Sequence, residues 1–254
     1  MVELSGVSFG YQSDKNVLDN LNLRMEEGRF YGLLGMNGSG KTTLLKLIAG
    51  KLFAHGGEIY VDGRNLRERD VETLQKVFML PADFIFPNMS LEQFLAIYSE
   101  FYPEFRKEVL NDCLVNFEIQ RDIKNLNQLS LGEKHKVAFS IALSLGTKIV
   151  LLDEAANGMD IPARKMFRKL LMKHVREDQI VVLSTHIVQD IENLLTDVIV
   201  LRKDAPVYAA SLEEISNCYS FGIQSDEEGA LYAEPCAEGY HVITPKREEI
   251  DTEA

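Results

Sequence analysis

One nine-residue stretch, Gly35-Met-Asn-Gly-Ser-Gly-Lys-Thr-Thr43, limits what this chain can become more than any other. The apolar run Phe30–Leu34 leads into it, and Thr42–Gly50 follows with leucines and an isoleucine on one helical face, closed by Gly50. Strand, glycine loop, helix is the frame of a phosphate-binding loop. The glycines let backbone N–H groups turn inward without side-chain clash, and the helix adds its positive N-terminal end. Gly35, Gly40, Lys41 and Thr42 fit the Walker A spacing, so contacts to a nucleotide's phosphates fall on Asn37, Gly38, Ser39, Gly40, Lys41, Thr42 and Thr43. Lys41 can neutralise β/γ oxygens and the Thr42 hydroxyl can ligate magnesium, which makes Mg-ATP the expected ligand and ATP hydrolysis the expected reaction.

The other chemistry collects at strand ends. Ile149–Leu152 is a continuous apolar run that ends in Asp153-Glu154. Such runs suit parallel strands covered on both faces, and ligands of open α/β sheets gather at the strands' carboxyl ends. Asp153 is the candidate metal ligand, through water, and Glu154 the candidate for orienting and polarising an attacking water. Asp and Glu are also common helix-start residues, so the pair takes its meaning from the loop in the same chain. Ile180–Leu183 is a second run; it leads through Ser184 and Thr185 to His186, whose imidazole can hydrogen-bond a γ-phosphate. Leu129-Ser-Leu-Gly-Glu133 precedes a helix. Ser130 with Glu133 reads as a capping box, and the same helix start, with Gly132 allowing close approach, can receive anionic oxygens. From the residues alone, the cap is the better reading of the two.

The chain organises itself around these motifs. Val2–Phe9, Val17–Arg24 and Glu58–Asp62 read as strands of the first part. Ser90–Tyr102, Glu104–Phe117 and Gly132–Leu145 read as helices, which makes about Phe84–Thr147 a helical subdomain inserted into an α/β core. The core resumes at Ile149 and continues through a helix at Pro162–Arg176 to a strand at Asp197–Arg202. Beyond about Ala205 the pattern weakens; Gln224–Ala254 is acidic, broken by Gly and Pro, and reads either as a small β extension or as a mobile tail.

In order and spacing, the Walker A stretch, LSLGE before a helix, LLDEAANGMD ending at Asp160, and Ser184-Thr185-His186 resemble the ATPase subunit (nucleotide-binding domain) of ATP-binding-cassette transporters, over about Met1–Ala210. The resemblance implies a P-loop NTPase with a RecA-like core, an antiparallel β subdomain and the helical subdomain, followed by a variable extension at 211–254. It also implies that LSLGE, with Leu131 where a glycine is usual, is the signature motif, so that Ser130 and Gly132 meet the ATP held by a second subunit. Asn157–Asp160 is similar to the D-loop of that interface, and Tyr11 sits where the family places an aromatic against adenine. The implied partners are a second ATPase subunit, identical or related, and a separately encoded integral-membrane permease. The implied location is cytoplasmic, peripheral at the inner face of the cell membrane, with a lean toward export. One departure stands out. The family usually carries a glutamine soon after the strand read here as Val77–Leu80, and the matching position is Ala82, with Asp83 beside it. That departure bears on metal coordination, hydrolysis rate and coupling to a permease.

Composition narrows the field further. The formal net charge of -12 disfavours non-specific nucleic-acid binding, and no nucleic-acid partner is expected. Cys113, Cys218 and Cys236 lie far apart without metal-ligand spacing and read as reduced structural thiols. The N-terminal stretch lacks the pattern of a signal peptide, and no apolar run reaches the ~20 residues that span a bilayer. Phe84, Phe86 and Met89 precede the first inserted helix and are candidates for a groove that accepts a short permease helix; the bland reading of the neighbouring aromatics is subdomain core. Besides a transport ATPase, two readings stay open: a soluble ABC-type ATPase in cofactor assembly, repair or translation, and a weakly hydrolysing nucleotide-binding regulator.

Overall fold

The computed structural model describes residues 1–12, 15–185, 191–203 and 205–246. The chain divides into a first unit, Met1–Ala209, and a second, Ala210–Ala254. The first unit is built on two sheets. Val2–Phe9 (β1), Leu18–Met25 (β2), Gly56–Val61 (β4) and Arg64–Asn65 (β5) form an antiparallel sheet in the order β2-β1-β4-β5. Phe30–Gly35 (β3), Val77–Leu80 (β6), Ile149–Asp153 (β7), Ile180–Ser184 (β8), Asp197–Leu201 (β9) and Tyr208–Ser211 (β10) form a second sheet, ordered β10-β9-β3-β8-β7-β6. The pairs β3–β8, β3–β9, β7–β8 and β6–β7 are all parallel.

The apolar runs of β7 and β8 are continuous because each face of the sheet meets its own core. Ile149, Leu151, Ile180 and Val182 pack with Leu44, Leu45, Leu47 and Ile48 of Lys41–Ile48 (α1) and with the inner face of the antiparallel sheet. Val150, Leu152, Val181 and Leu183 pack with Leu131–Ser144 (α5) and Ile161–His174 (α6). Each such side chain, fully buried, contributes about 1.5–3 kcal/mol. The inserted helices are Leu91–Tyr98 (α3), Lys107–Asn116 (α4) and α5; Val71–Gln75 (α2) is a short helix that the sequence reading did not contain. Phe139 on α5 is fully buried and joins the insertion to the core, 6.0 Å from Phe117 and 4.2 Å from Phe167 between ring centres.

Two inserted helices are shorter than the sequence pattern suggests. Ser90–Tyr102 resolves into α3 and a 3-10 turn, Ser99–Phe101. The next helix starts at Lys107 instead of Glu104, because Arg106 is held extended by its own contacts. Its N–H donates to the Ser144 carbonyl at 2.7 Å, and its guanidinium donates to the carbonyls of His174 and Leu143. The second unit takes the β form of the two readings. Leu212–Cys218 (α7) leads into Tyr219–Gln224 (β11), Tyr232–Cys236 (β12) and Gly239–Pro245 (β13), an antiparallel sheet ordered β11-β13-β12. The three cysteines are unpaired, and burial pushes the Cys113 thiol up to about 12.

The amino-terminal ends of β6 and β7 are tied to the antiparallel sheet by charge. Lys76 and Lys148, each just before its strand, place their ammonium groups 3.0 and 3.1 Å from Asp62 at the end of β4. Burial opposes the charge on Asp62, but hydrogen bonds from the Met1 amino group, Lys76 and Lys148 outweigh it and hold the carboxyl well below its usual range. A depressed native pKa stabilises the fold fully above the unfolded value of about 3.9 and fades as pH falls below it. Urea unfolding should therefore find Asp62→Asn less stable than the parent at pH 7, with the difference shrinking steadily as pH falls below about 4.

Candidate active site

The phosphate loop lies at the carboxyl edge of the parallel sheet, where β3 ends. Gly35 is required there by space: a Cβ would lie 2.4 Å from the Leu201 carbonyl oxygen and 2.5 Å from Ser39 Oγ. At the loop's far end Gly40 takes φ 99°, a left-handed turn that starts α1 without a side-chain cap. Of the other described α-helices, α4, which starts after Arg106, alone shares the lack of a side-chain cap. Asp70, Ser90, Ser130, Asp160 and Ser211 each close a helix start with a side-chain oxygen. The first turn of α1 is left to an incoming anion.

Around that turn the side chains form one constellation. Lys41 is buried, its ammonium donating to the carbonyls of Gly35 at 2.7 Å and Met36 at 3.2 Å. The Thr42 hydroxyl donates to Asp153 Oδ2 at 2.7 Å, across 111 residues of sequence. Asp153 is itself buried at the end of β7, in register with Ser184 of β8. The hydroxyls of Ser39 and Ser184 are buried there with no hydrogen-bond partner among the described residues. Ser184 was not among the sequence candidates; its one signal is the parallel register that sets it beside Asp153. Asn37 and Gly38 are exposed at the tip of the loop. Tyr11 packs edge-on against Phe9, its hydroxyl 3.2 Å from Thr43 Oγ1, and leaves 62% of its surface exposed.

Glu154 follows Asp153 in an unusual conformation. Its φ is 50°, in the left-handed region, and its N–H donates to the Ser184 carbonyl at 2.9 Å. The chain then turns through Asn157, whose N–H returns to the Glu154 carbonyl, to Asp160, which caps α6 by accepting from the Ala163 N–H at 2.8 Å. Ser130 and Gly132 stand elsewhere in the unit. Ser130 accepts from the Glu133 N–H while the Glu133 carboxylate accepts from the Ser130 N–H, a complete capping box. Gly132 faces the turn after Glu154: a Cβ there would lie 3.2 Å from the Gly158 carbonyl oxygen. Among the described residues no hydrogen bond joins Ser130 or Gly132 to the phosphate loop of the same chain. His186 lies outside the described residues. Ala82 and Asp83 are exposed beyond β6.

This arrangement suits a magnesium nucleotide. Among the described residues no group of three or more His, Cys, Asp or Glu side chains is placed to hold a metal. Magnesium needs none, since one or two carboxylates with phosphate oxygens and water complete its shell. Thr42 and Asp153, touching beside an open helix start, are donors of that kind.

The family profile described as ABC transporter matches residues 18–157. The chain belongs to the ABC transporter family. YtrB of Bacillus subtilis, an ABC transporter ATP-binding protein, is 28% identical over 86% of the chain and 75% of its own length. The ABC transporter ATP-binding protein NatA of the same organism is 30% identical over 85% of the chain and 91% of its own length. A solved structure of the ATP-binding subunit of an ABC transporter superposes with a TM-score of 0.76 at 23% identity, covering 85% of the chain and 91% of that structure. This chain is accordingly an ABC transporter ATP-binding subunit, an ATPase with the α/β P-loop fold. ABC ATPase subunits work with transporter partners, and among the described residues no helix here is long and apolar enough to cross a membrane.

The backbone at Glu154 can be tested separately from its carboxylate. A non-glycine residue in the left-handed region carries about 1–2 kcal/mol of strain. Glu154→Gly and Glu154→Ala both remove the carboxylate, so thermal unfolding should find Glu154→Gly the more stable of the two by about 1 kcal/mol.

Proposed function

We propose that this subunit binds Mg-ATP at Gly35–Thr43, closes over it with a second ATPase subunit, and hydrolyses it to drive a membrane permease in the export direction. The observation that carries the reading is the Thr42–Asp153 contact at 2.7 Å beside the uncapped start of α1. On binding, the Lys41 ammonium exchanges the loop carbonyls for β/γ-phosphate oxygens. Backbone N–H groups of Asn37 to Thr43 and the helix end supply fixed donors that need no reorganisation. A magnesium ion would be held by Thr42 directly and by Asp153 through water, and would neutralise phosphate charge. Glu154 holds the attacking water and draws off its proton, and His186 steadies the γ-phosphate. Tyr11 stacks on the adenine. Ser130 and Gly132 of each subunit reach the nucleotide of the other, which fits the absence, among the described residues, of a hydrogen bond from either to the loop of their own chain.

An apolar groove supports the permease part. Phe84, Ile85, Phe86, Met89, Ile97 and Tyr98 line a cavity of about 470 Å³, and Ile85 is 86% exposed. A short amphipathic helix from a permease's cytoplasmic side is the occupant of matching chemistry. The subunit then sits at the inner face of the cell membrane, held there by its partner. The net charge of -12 argues against a nucleic-acid role. One observation favours a second reading, a weakly hydrolysing regulator or soluble relative: Ala82 offers no ligand where the family has a glutamine.

Lys41→Ala removes the one buried cation of the cradle. Calorimetry should show ATP affinity reduced about 100-fold or more, on the scale of losing a buried charge partner. Glu154→Gln should keep binding, lose at least about 100-fold in turnover, and run as an ATP-dependent dimer on size exclusion. Purification from detergent-solubilised membranes separates the two readings: a co-purifying polytopic chain supports transport, and a soluble complex supports the alternative.

A further inference from the structure

His135 lies on α5, one turn after the Ser130 cap, and is 4% exposed. A histidine this deep needs a reason. On one side its ring meets Phe84, with centroids 5.1 Å apart at 74°. Phe84 is the first of a line of ring contacts that runs along the apolar groove: Phe84 to Phe86 at 5.3 Å, Phe86 to Phe94 at 5.5 Å, and Phe94 stacked on Tyr98 at 4.1 Å. On its other side the ring reaches the turn that follows β7. It packs against that turn: its Cδ2 lies 3.8 Å from where a Cβ on Gly158 would stand, and the Ala155 backbone nearby favours its protonated form. Burial lowers the pKa of the ring, so it is neutral near pH 7 and has one N–H to give. Among the described residues its Nδ1 atom has no hydrogen-bond partner.

The geometry points to His135 as a positioning residue that links the occupant of the groove to the conformation of the Glu154–Gly158 turn. The inference rests on the proposed roles of that groove and of Glu154. Ala155 directly follows Glu154, whose left-handed backbone is the strained element of the site. Packed rings transmit displacement because they cannot deform continuously, and a ring wedged against the turn after a strained residue is where such a displacement changes the reacting geometry. Ala82, exposed and carrying only a methyl group, offers no side chain that could make this link from the other side of the groove. His135 supplies it from within the chain.

The chain contains no tryptophan, so one introduced indole reports on the groove alone. Phe84→Trp in a Glu154→Gln background is titrated with Mg-ATP, following emission while calorimetry follows binding. The expected result is an emission change on saturation. Adding His135→Leu, close in bulk but without a ring, should abolish that change with ATP affinity within about twofold; adding His135→Phe, which keeps a ring between Phe84 and the turn, should restore it. With Glu154 and Phe84 intact, His135→Leu should lower kcat by about 10–100-fold at nearly constant KM, the mark of a misplaced group and not of lost binding. If Phe84→Trp perturbs folding, hydrogen exchange of residues 82–89 with and without Mg-ATP replaces the emission signal in the otherwise unaltered chain. A chain that fails to bind Mg-ATP overturns both this link and the function above. A chain that binds it while the groove stays silent, or whose groove response survives His135→Leu, overturns the link alone.

Discussion

Thr42 and Asp153 are 111 residues apart in the chain and 2.7 Å apart in the structure. Everything at the site depends on that closure. It brings the start of α1 to the end of β7, and it is possible only because β3, β8 and β7 run parallel in adjacent register, so that their carboxyl ends stop at one edge. The contact fixes the hydroxyl and carboxylate before any ligand arrives. Such preorganisation is what lets a polar site act on charge without first rearranging. Ser39 and Ser184, buried beside it without partners among the described residues, suit an edge laid out for a polar guest and not for a dry core.

The two ends of the central sheet are treated differently. At the amino ends of β6 and β7 the charges are satisfied within the chain: Lys76 and Lys148 converge on Asp62, and the depressed pKa of that carboxyl measures how firmly they hold it. At the carboxyl ends the groups are left available, with an uncapped helix, hydroxyls that have no partner among the described residues and a lysine resting on loop carbonyls. A sheet tied at one end and open at the other gives a rigid platform with a reactive edge, the general logic of ligand sites in α/β folds.

Much of this was legible in the sequence, for reasons that can be named. Ile149–Leu152 and Ile180–Leu183 could be placed because a strand covered on both faces has no polar side to confuse it. The cap of α5 could be placed because Ser130 and Glu133 carry the whole motif within four residues. The start of α4 could not, since Arg106 is held extended by carbonyls at Ser144, Leu143 and His174, all distant in sequence. The strands of the second unit were also obscure. Of their side chains only Val242 is buried, so burial imposes no strong alternation on the sequence. At the site, Lys41, Thr42 and Asp153 were legible as motif positions, but the pairing of Asp153 with Ser184 is a property of register. The contact of His135 with Phe84 is likewise tertiary, and nothing local in either segment announces it.

Glu154 joins these strands of argument. A carboxylate at the end of a buried strand could sit in relaxed extended backbone, yet here it occupies φ 50°, anchored by its N–H on Ser184. The strain is tolerated because neighbours hold the turn from several sides: β8 through Ser184, the Asn157 N–H on the Glu154 carbonyl, and α6 through the Asp160 cap. Strain maintained by so many partners is responsive to any of them. In the function proposed above, a subunit with Ala82 at the usual glutamine position couples its nucleotide site to a partner's movement through one of those neighbours, or through the His135 ring packed against the turn.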